Sequence, residues 1–328
     1  MNAPGPFRFT LHPADNAPPL DRQTLAAVHF GEVGGFPPAD PRRISVPLAC
    51  LGEPLEERWE ATAPLTHGIT GRFAWARTRD ALIVQARIGV IEDPRFERQV
   101  ETLYRNLYDF LAKAGHPHPL RIWQYIERIH TPYRQLDRYQ RFCAGRHRAL
   151  AARTPRERLP AATVIGSRQP GFTLYALAAA EPALQIENPR QVSAFHYPRD
   201  YGPASPSFSR AVLKRWPGGG VHLYISGTAS IVGHHSRHPE DAEAQLEETV
   251  ENLERLLDRA VEAGAPPLRL DELSAFRLYV RHRHHAERLE ARLRNLVGRD
   301  LPLVMLEGEI CRRELLLEIE AAWYGDGP

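Results

Sequence analysis

Apolar residues recur at helical spacing in two long stretches of the chain. In Arg95–Ala114 they fall at Phe96, Val100, Leu103, Leu107, Phe110 and Leu111, and Gly115 ends the run. In Pro239–Ala263 they fall at Leu246, Val250, Leu253, Leu256, Leu257 and Val261, and Gly264 ends it. Tyr133–Ala151 and Ala286–Leu296 predict two further helices. Alternation with period two predicts a hairpin from Phe73–Thr78 and Ala81–Ile88, turning near Arg79-Asp80. Strands are expected at Leu120–Ile126, Val221–Ile225, Ala275–Val280 and Pro302–Glu307. Ile310–Ala322 reads as the last long strand. Leu315, Leu317 and Ile319 point one way along it, and Glu314, Leu316, Glu318 and Glu320 point the other. Residues 1–42 contain Pro4, Pro6, Pro13, Pro18, Pro19, Pro37, Pro38 and Pro41 and read as an irregular lead-in with room for one strand.

The two long helices also share a pattern. Gln99 and Asn106-Leu107 match Gln245 and Asn252-Leu253, each 146 residues apart. Each helix ends in Ala-Gly and leads to an aromatic strand, LRIWQYI or AFRLYV. The expectation is α+β, with two related domains that each hold a mixed sheet packed by helices. The charged, proline-containing stretch 152–160 is the expected boundary, giving domains 1–155 and 156–328.

Charge and cysteine usage narrow the class. The 42 basic and 40 acidic side chains leave a net charge of +2, so no global field argues for nucleic acid or a membrane surface. No apolar run approaches the ~18 residues of a membrane span. The start MNAPGPFRF has neither the basic nor the apolar region of a signal peptide. Cys50, Cys143 and Cys311 form no CxxC pair. That argues against a disulfide framework or structural zinc and fits a reducing cytoplasm.

Candidate chemistry concentrates between Asn188 and His238. Arg190, Arg199, Arg210, Tyr197, Tyr201, Ser205, Ser207 and Ser209 stand among prolines, so this segment is extended chain and turn. Guanidinium forks on a braced loop suit a small anion with several oxygens. Arg146 and Arg148 in FCAGRHR add further cations. Ser226-Gly227-Thr228-Ala229-Ser230 ends a buried strand with small residues, which lets a ligand approach the backbone. Glu318 lies in the apolar LLLEIEA, where burial raises a carboxyl pKa and suits a general acid. Glu320 shares its face, and periodicity alone does not separate the two. No His stands beside Cys311 to activate a thiolate. His234, His235 and His238, like His282, His284 and His285, lack companion ligands, so no metal is expected. Gly218-Gly219-Gly220 lacks the Lys and Ser/Thr of a phosphate loop.

Three blocks carry a family resemblance: NPRQVSAFHYPRDYGPASPSFSRA, ISGTASIVGHHSRH and GEICRRELLLEIEA. They resemble the chorismatases, which cleave chorismate and include hydroxybenzoate-forming synthases. The resemblance runs from about Arg141 onward and is weak before Phe73. It implies RidA/YjgF-like domains, the first degenerate and the second catalytic. It implies Glu318 as the catalytic acid, and Cys311 at the position found in the hydroxybenzoate-forming members, which differs in those that release a non-aromatic dihydrodiol acid. It further implies chorismate as the small-molecule partner, no cofactor, and 3-hydroxybenzoate as product, with 4-hydroxybenzoate left open as a second. The substrate carboxylates and hydroxyl would then meet Arg146, Arg148, Tyr197, Arg199, Tyr201 and Arg210, with Gly227 and Ala229 beside the ring. A monomer or low-order homo-oligomer is expected. A RidA-like imine hydrolase also fits the SG and EIEA elements, and a non-catalytic sensor of aromatic acids stays open. One difficulty remains: Cys311 and Glu318 are seven residues apart and share a pocket only if a turn or bulge interrupts the strand.

Overall fold

The computed structural model describes residues 5–31, 34–151 and 153–325. Two successive stretches of chain fold with the same topology. The first runs through strands Thr66–Thr70, Phe73–Arg77 and Ala81–Ile88, helix α1 (Phe96–Lys113), strand His118–Glu127, helix α2 (Arg138–Leu150), and strands Ala161–Ser167 and Phe172–Ala179. The second runs through strands Leu184–Ile186, Ala211–Arg215 and Val221–Thr228, helix α3 (Ala242–Glu262), strand Ala275–Val280, helix α4 (Ala286–Leu296), and strands Leu303–Glu307 and Leu317–Gly325. Each forms a six-stranded sheet, and corresponding strands lie in the same spatial order. In each, the pair joined through α2 or α4 is parallel and the remaining pairs are antiparallel. A parallel pair needs a crossover of this kind. The α+β expectation and the repeat read from Gln99 and Gln245 are both present.

The sheets correct the expected boundary. Ala161–Ser167 and Phe172–Ala179 pair with the strands of the first unit, so the changeover falls between Ala179 and Leu184 and not at 152–160, of which Ala152 lies outside the described residues. The charged stretch is a connection within one unit, from α2 into its parallel strand.

The N-terminal segment is also more regular than its prolines suggest. Phe7–Pro13, Thr24–Phe30, Arg43–Val46 and Leu55–Ala61 form a four-stranded sheet (Pro4 lies outside the described residues). Its order and directions repeat the last four strands of each of the other two units, parallel edge included, without their helices. The inner faces of all three sheets meet in one core that includes Phe7, Trp59, Trp123, Tyr175, Tyr224 and Tyr279. The outer faces of the two complete sheets pack against α1 and α2, or α3 and α4.

Polar groups also meet at this centre. Arg277 grips both oxygens of Glu57 at 2.6 Å each and stands 3.1 Å from Glu320. Arg121 lies 2.6 Å from Glu320. Buried charges persist only when paired and hydrogen-bonded, as these are. Tyr125 and Tyr279, equivalent by topology, approach each other at 3.4 Å. Tyr125 faces Thr173 in its sheet and Tyr279 faces Glu318, so Thr173 holds the Glu318 position in the first unit.

Two element boundaries differ from expectation. Helix α2 begins at Arg138, after a short hairpin of Pro132–Tyr133 and Leu136–Asp137, because Asp137 and Gln140 form a capping box there. The last strand begins at Leu317, because residues 311–314 turn.

Candidate active site

A cavity of about 350 Å³ lies at the seam between the two complete units. The second unit supplies Glu318, Gly227 and Ala229, the Tyr197–Arg210 segment and the 311–314 turn. The first unit supplies Tyr139, Phe142, Cys143 and Arg146 from α2, with Ala162 and Val164 from its edge strand. The turn at 311–314 removes the difficulty of the seven-residue spacing, and Cys311 and Glu318 both line the cavity.

Glu318 is 5% exposed. Burial, reinforced by the neighbouring Glu320 charge, pushes its carboxyl up to about 8, against the pull of Arg121 and Arg210. Among the described residues no group donates a hydrogen bond to it. Glu320 differs sharply: Arg121, Arg277 and Trp123 Nε1 (2.7 Å) all serve it. The strand pairing beside Glu318 is irregular between Ile225 and Thr228. A Cβ on Gly227 would overlap the Glu318 carboxyl, so glycine is required for the acid to lie there. The Gly227 N–H donates to Thr163 Oγ1 at 2.9 Å, and Arg121 donates to the same hydroxyl at 2.5 Å.

Three guanidinium groups face the cavity with N–H groups left over. Arg146 is 2% exposed, and its Nε and Nη2 have no partner among the described residues. Arg210 donates through Nη2 to Val192 O (2.9 Å) and Tyr197 Oη (2.8 Å), leaving Nε unmatched. Arg312 stacks 3.9 Å above the Tyr201 ring and donates through Nη1 to His234 O (2.9 Å) and Ser236 Oγ (3.0 Å), leaving Nη2 unmatched. A buried donor without an acceptor costs free energy, and an anion is the kind of acceptor these four donors lack.

Of the residues expected at the site, the cavity brings together Glu318, Cys311, Arg146, Tyr197, Tyr201, Arg210, Gly227 and Ala229. The Tyr201 hydroxyl, expected to meet substrate, instead donates to His234 O at 2.7 Å. Arg148 lies elsewhere: its side chain is 46% exposed and pairs with Glu97 and Glu101 of α1. Two residues along a helix turn a side chain by about 200°, so Arg146 and Arg148 cannot share a face. Arg199 is exposed on a short turn and does not line the cavity. Sequence reading missed Arg312, Cys143 and Tyr139. Burial pushes the Cys311 and Cys143 thiols up to about 12, so neither is a ready nucleophile.

The repeated Gln and Asn of the sequence pattern hold this site from behind. Gln245 donates to Glu314 O (2.9 Å) and accepts from Leu316 N (2.8 Å). Asn252 donates to Ala229 O (3.1 Å) and Ile231 O (3.0 Å). In the first unit Gln99 reaches Val90 O at 3.3 Å, and Asn106 is exposed. Among the described residues no cluster of three or more His, Cys, Asp or Glu side chains is arranged to hold a metal. None of the described helices is long and apolar enough to cross a membrane.

A buried acid of raised pKa beside unmatched guanidinium groups suits a small organic anion. Comparison with known proteins specifies the class. The model for the N-terminal part of FkbO/Hyg5-like chorismatases matches residues 57–178, ending where the first sheet ends. A chorismatase of Streptomyces rapamycinicus is 36% identical over 276 residues, 82% of each chain. A 3-hydroxybenzoate synthase of Streptomyces hygroscopicus is 30% identical over 318 residues, 92% of each chain. A chorismatase crystal structure superposes with a TM-score of 0.89 at 29% identity, covering 98% of this chain and all of the other. The chain belongs to the chorismatase family.

Proposed function

We propose that this protein cleaves chorismate to pyruvate and a hydroxybenzoate, with 3-hydroxybenzoate the main ring product. The observation that carries this reading is the pairing of Glu318, which holds a proton near neutral pH, with Arg146, Arg210 and Arg312 around one cavity. Chorismate is a dianion with a ring carboxylate and an enolpyruvyl carboxylate. Separate guanidinium clamps fix both ends and hold the enol ether against the acid.

Glu318 gives its proton to the enolpyruvyl methylene carbon, which leaves an oxocarbenium ion. The neighbouring ring hydroxyl oxygen then attacks the ring carbon that bears the ether. That C–O bond breaks with its electron pair going to the departing pyruvate, and the hydroxyl proton returns to the site. The ring epoxide so formed opens and loses its ring proton to give the aromatic acid. No water is consumed overall. If water attacks the oxocarbenium carbon instead, pyruvate leaves and the ring keeps two hydroxyls as a dihydroxycyclohexadiene acid. Cys311, neutral and packed into the cavity wall, favours the first route by keeping that side of the ring dry.

The sequence needs an acid, anion clamps and a dry wall, and no step calls for a cofactor. Three sheets already close around one core within a single chain, which supports a monomer. Three free cysteines support work in the reducing cytoplasm. Incubation of purified protein with chorismate, with pyruvate and ring products quantified, tests the reading. Release of both refutes an imine hydrolase and a sensor alike, and absence of pyruvate refutes the proposal.

A further inference from the structure

Residues 310–315 reverse direction without the support of a helix or strand, so their carbonyls need partners from outside the turn. One side chain supplies partners for three of the six. Arg281 follows the strand Ala275–Val280 and opens the histidine-rich segment 282–285. Its Nε donates to Leu315 O at 2.7 Å, and its Nη2 donates to Ile310 O at 3.0 Å and Arg312 O at 2.7 Å. Its backbone N–H donates to Leu316 O at 2.9 Å. Ile310 O also lies 2.8 Å from His130 Nε2. Arg281 does not line the cavity; it sits behind the turn whose front presents Cys311 and Arg312 to it.

We propose that Arg281 is a positioning residue that sets the ring product of the reaction. This rests on the chorismatase reading above. A planar guanidinium bonds three carbonyls spread over six residues and fixes the curvature of the turn. An ammonium at the same place is a point donor and cannot span them. When the turn relaxes, Cys311 withdraws from the wall, water reaches the oxocarbenium carbon, and the hydrolytic route gains on the intramolecular one. The proton from Glu318 is untouched, so pyruvate release continues.

The test compares the parent with Arg281→Lys and Arg281→Gln. Chorismate consumption, pyruvate, hydroxybenzoate and dihydroxycyclohexadiene acid are quantified at saturating substrate, and folded fraction is measured by circular dichroism. The ratio of dihydroxy acid to hydroxybenzoate is expected to rise roughly fivefold in the Gln variant, about 1 kcal/mol between two barriers. A smaller rise is expected with Lys. Loss of folded protein scales both products equally and leaves their ratio alone, so a shifted ratio reports geometry at the site. An unchanged ratio in folded, active Lys and Gln variants overturns the role of Arg281. If Gln prevents folding, the Lys variant decides by the same ratio. A parent that yields no pyruvate refutes the chorismatase reading itself, and the role of Arg281 falls with it.

Discussion

Glu318 and Glu320 stand two residues apart on one face of one strand, yet only Glu320 is neutralised. Arg121, Arg277 and Trp123 hold Glu320, and Glu318 is left to the cavity with its carboxyl pushed up to about 8. Glu318→Gln is therefore expected to lower pyruvate release at least a hundredfold, about 2.7 kcal/mol of barrier, while chorismate still binds. A rate within about tenfold of the parent would remove Glu318 as the acid. Glu320→Gln acts on the fold instead. It strips charge from a buried network and is expected to cost about 3 kcal/mol of stability, read as a fall of several degrees in Tm.

The pH dependence follows from the same shift. If Glu318 is the acid, its protonated form is the one that works, and kcat should hold below about pH 8 and fall as pH rises through it. The stability effect has the same sign. The folded state binds this proton more tightly than the unfolded chain does, so the contribution is full below the ordinary carboxyl range and is lost as pH rises towards about 8. Glu318→Gln should remove that part of the decline. A Tm profile between pH 5 and 8 that is identical in parent and variant would contradict the assignment.

Arg312→Ala is expected to raise the KM for chorismate ten- to a hundredfold, roughly 1.4–2.8 kcal/mol. Arg210→Ala should do the same, and Arg210→Lys should recover little, because the guanidinium also holds Val192 O and the Tyr197 hydroxyl. Arg148→Ala is the control and should leave KM unchanged, since its partners are the exposed-side Glu97 and Glu101. Steady-state kinetics on the four variants decide the matter. An unchanged KM in Arg312→Ala would exclude it from substrate contact.

Gly227→Ala inserts a methyl where the Glu318 carboxyl lies. The acid must move, and catalysis should fall by about a hundredfold or more although the substitution is small. Pyruvate release measured beside a circular dichroism spectrum separates displacement of the acid from loss of fold. Full activity in this variant would show that Glu318 works from another position.

Much of this architecture was legible because long helices announce themselves. Leu103 and Leu107, or Leu253 and Leu257, recur often enough to fix both type and register. Short strands do not. Phe7, Phe9 and Leu11 alternate over a single strand between prolines, and Ala161–Ser167 alternates too weakly to stand out beside a charged connection. At the site, Glu318 was legible as a carboxylate in an apolar strand. Arg312 was not, because reading 310–322 as continuous strand hid the turn that brings it inward. The error over Arg148 had a remedy in the sequence: Phe142, Cys143 and Ala149 mark the buried face of α2, and Arg146 lies on it.

The cavity wall and floor belong to different units, and this changes what counts as the inherited catalytic part. Neither unit alone encloses the cavity: residues 184–325 hold Glu318, and residues 138–164 hold Arg146 and the opposing wall. A change in ring specificity therefore requires matched substitutions in α2 and in the 311–318 segment, about 170 positions apart in the chain. The first unit has Thr173 where the second has Glu318, so the duplicated fold presents this carboxylate at one seam. Each chain should accordingly titrate with one equivalent of a tight dianionic inhibitor, and recombination between relatives should preserve activity only when both sides of that seam come from the same parent.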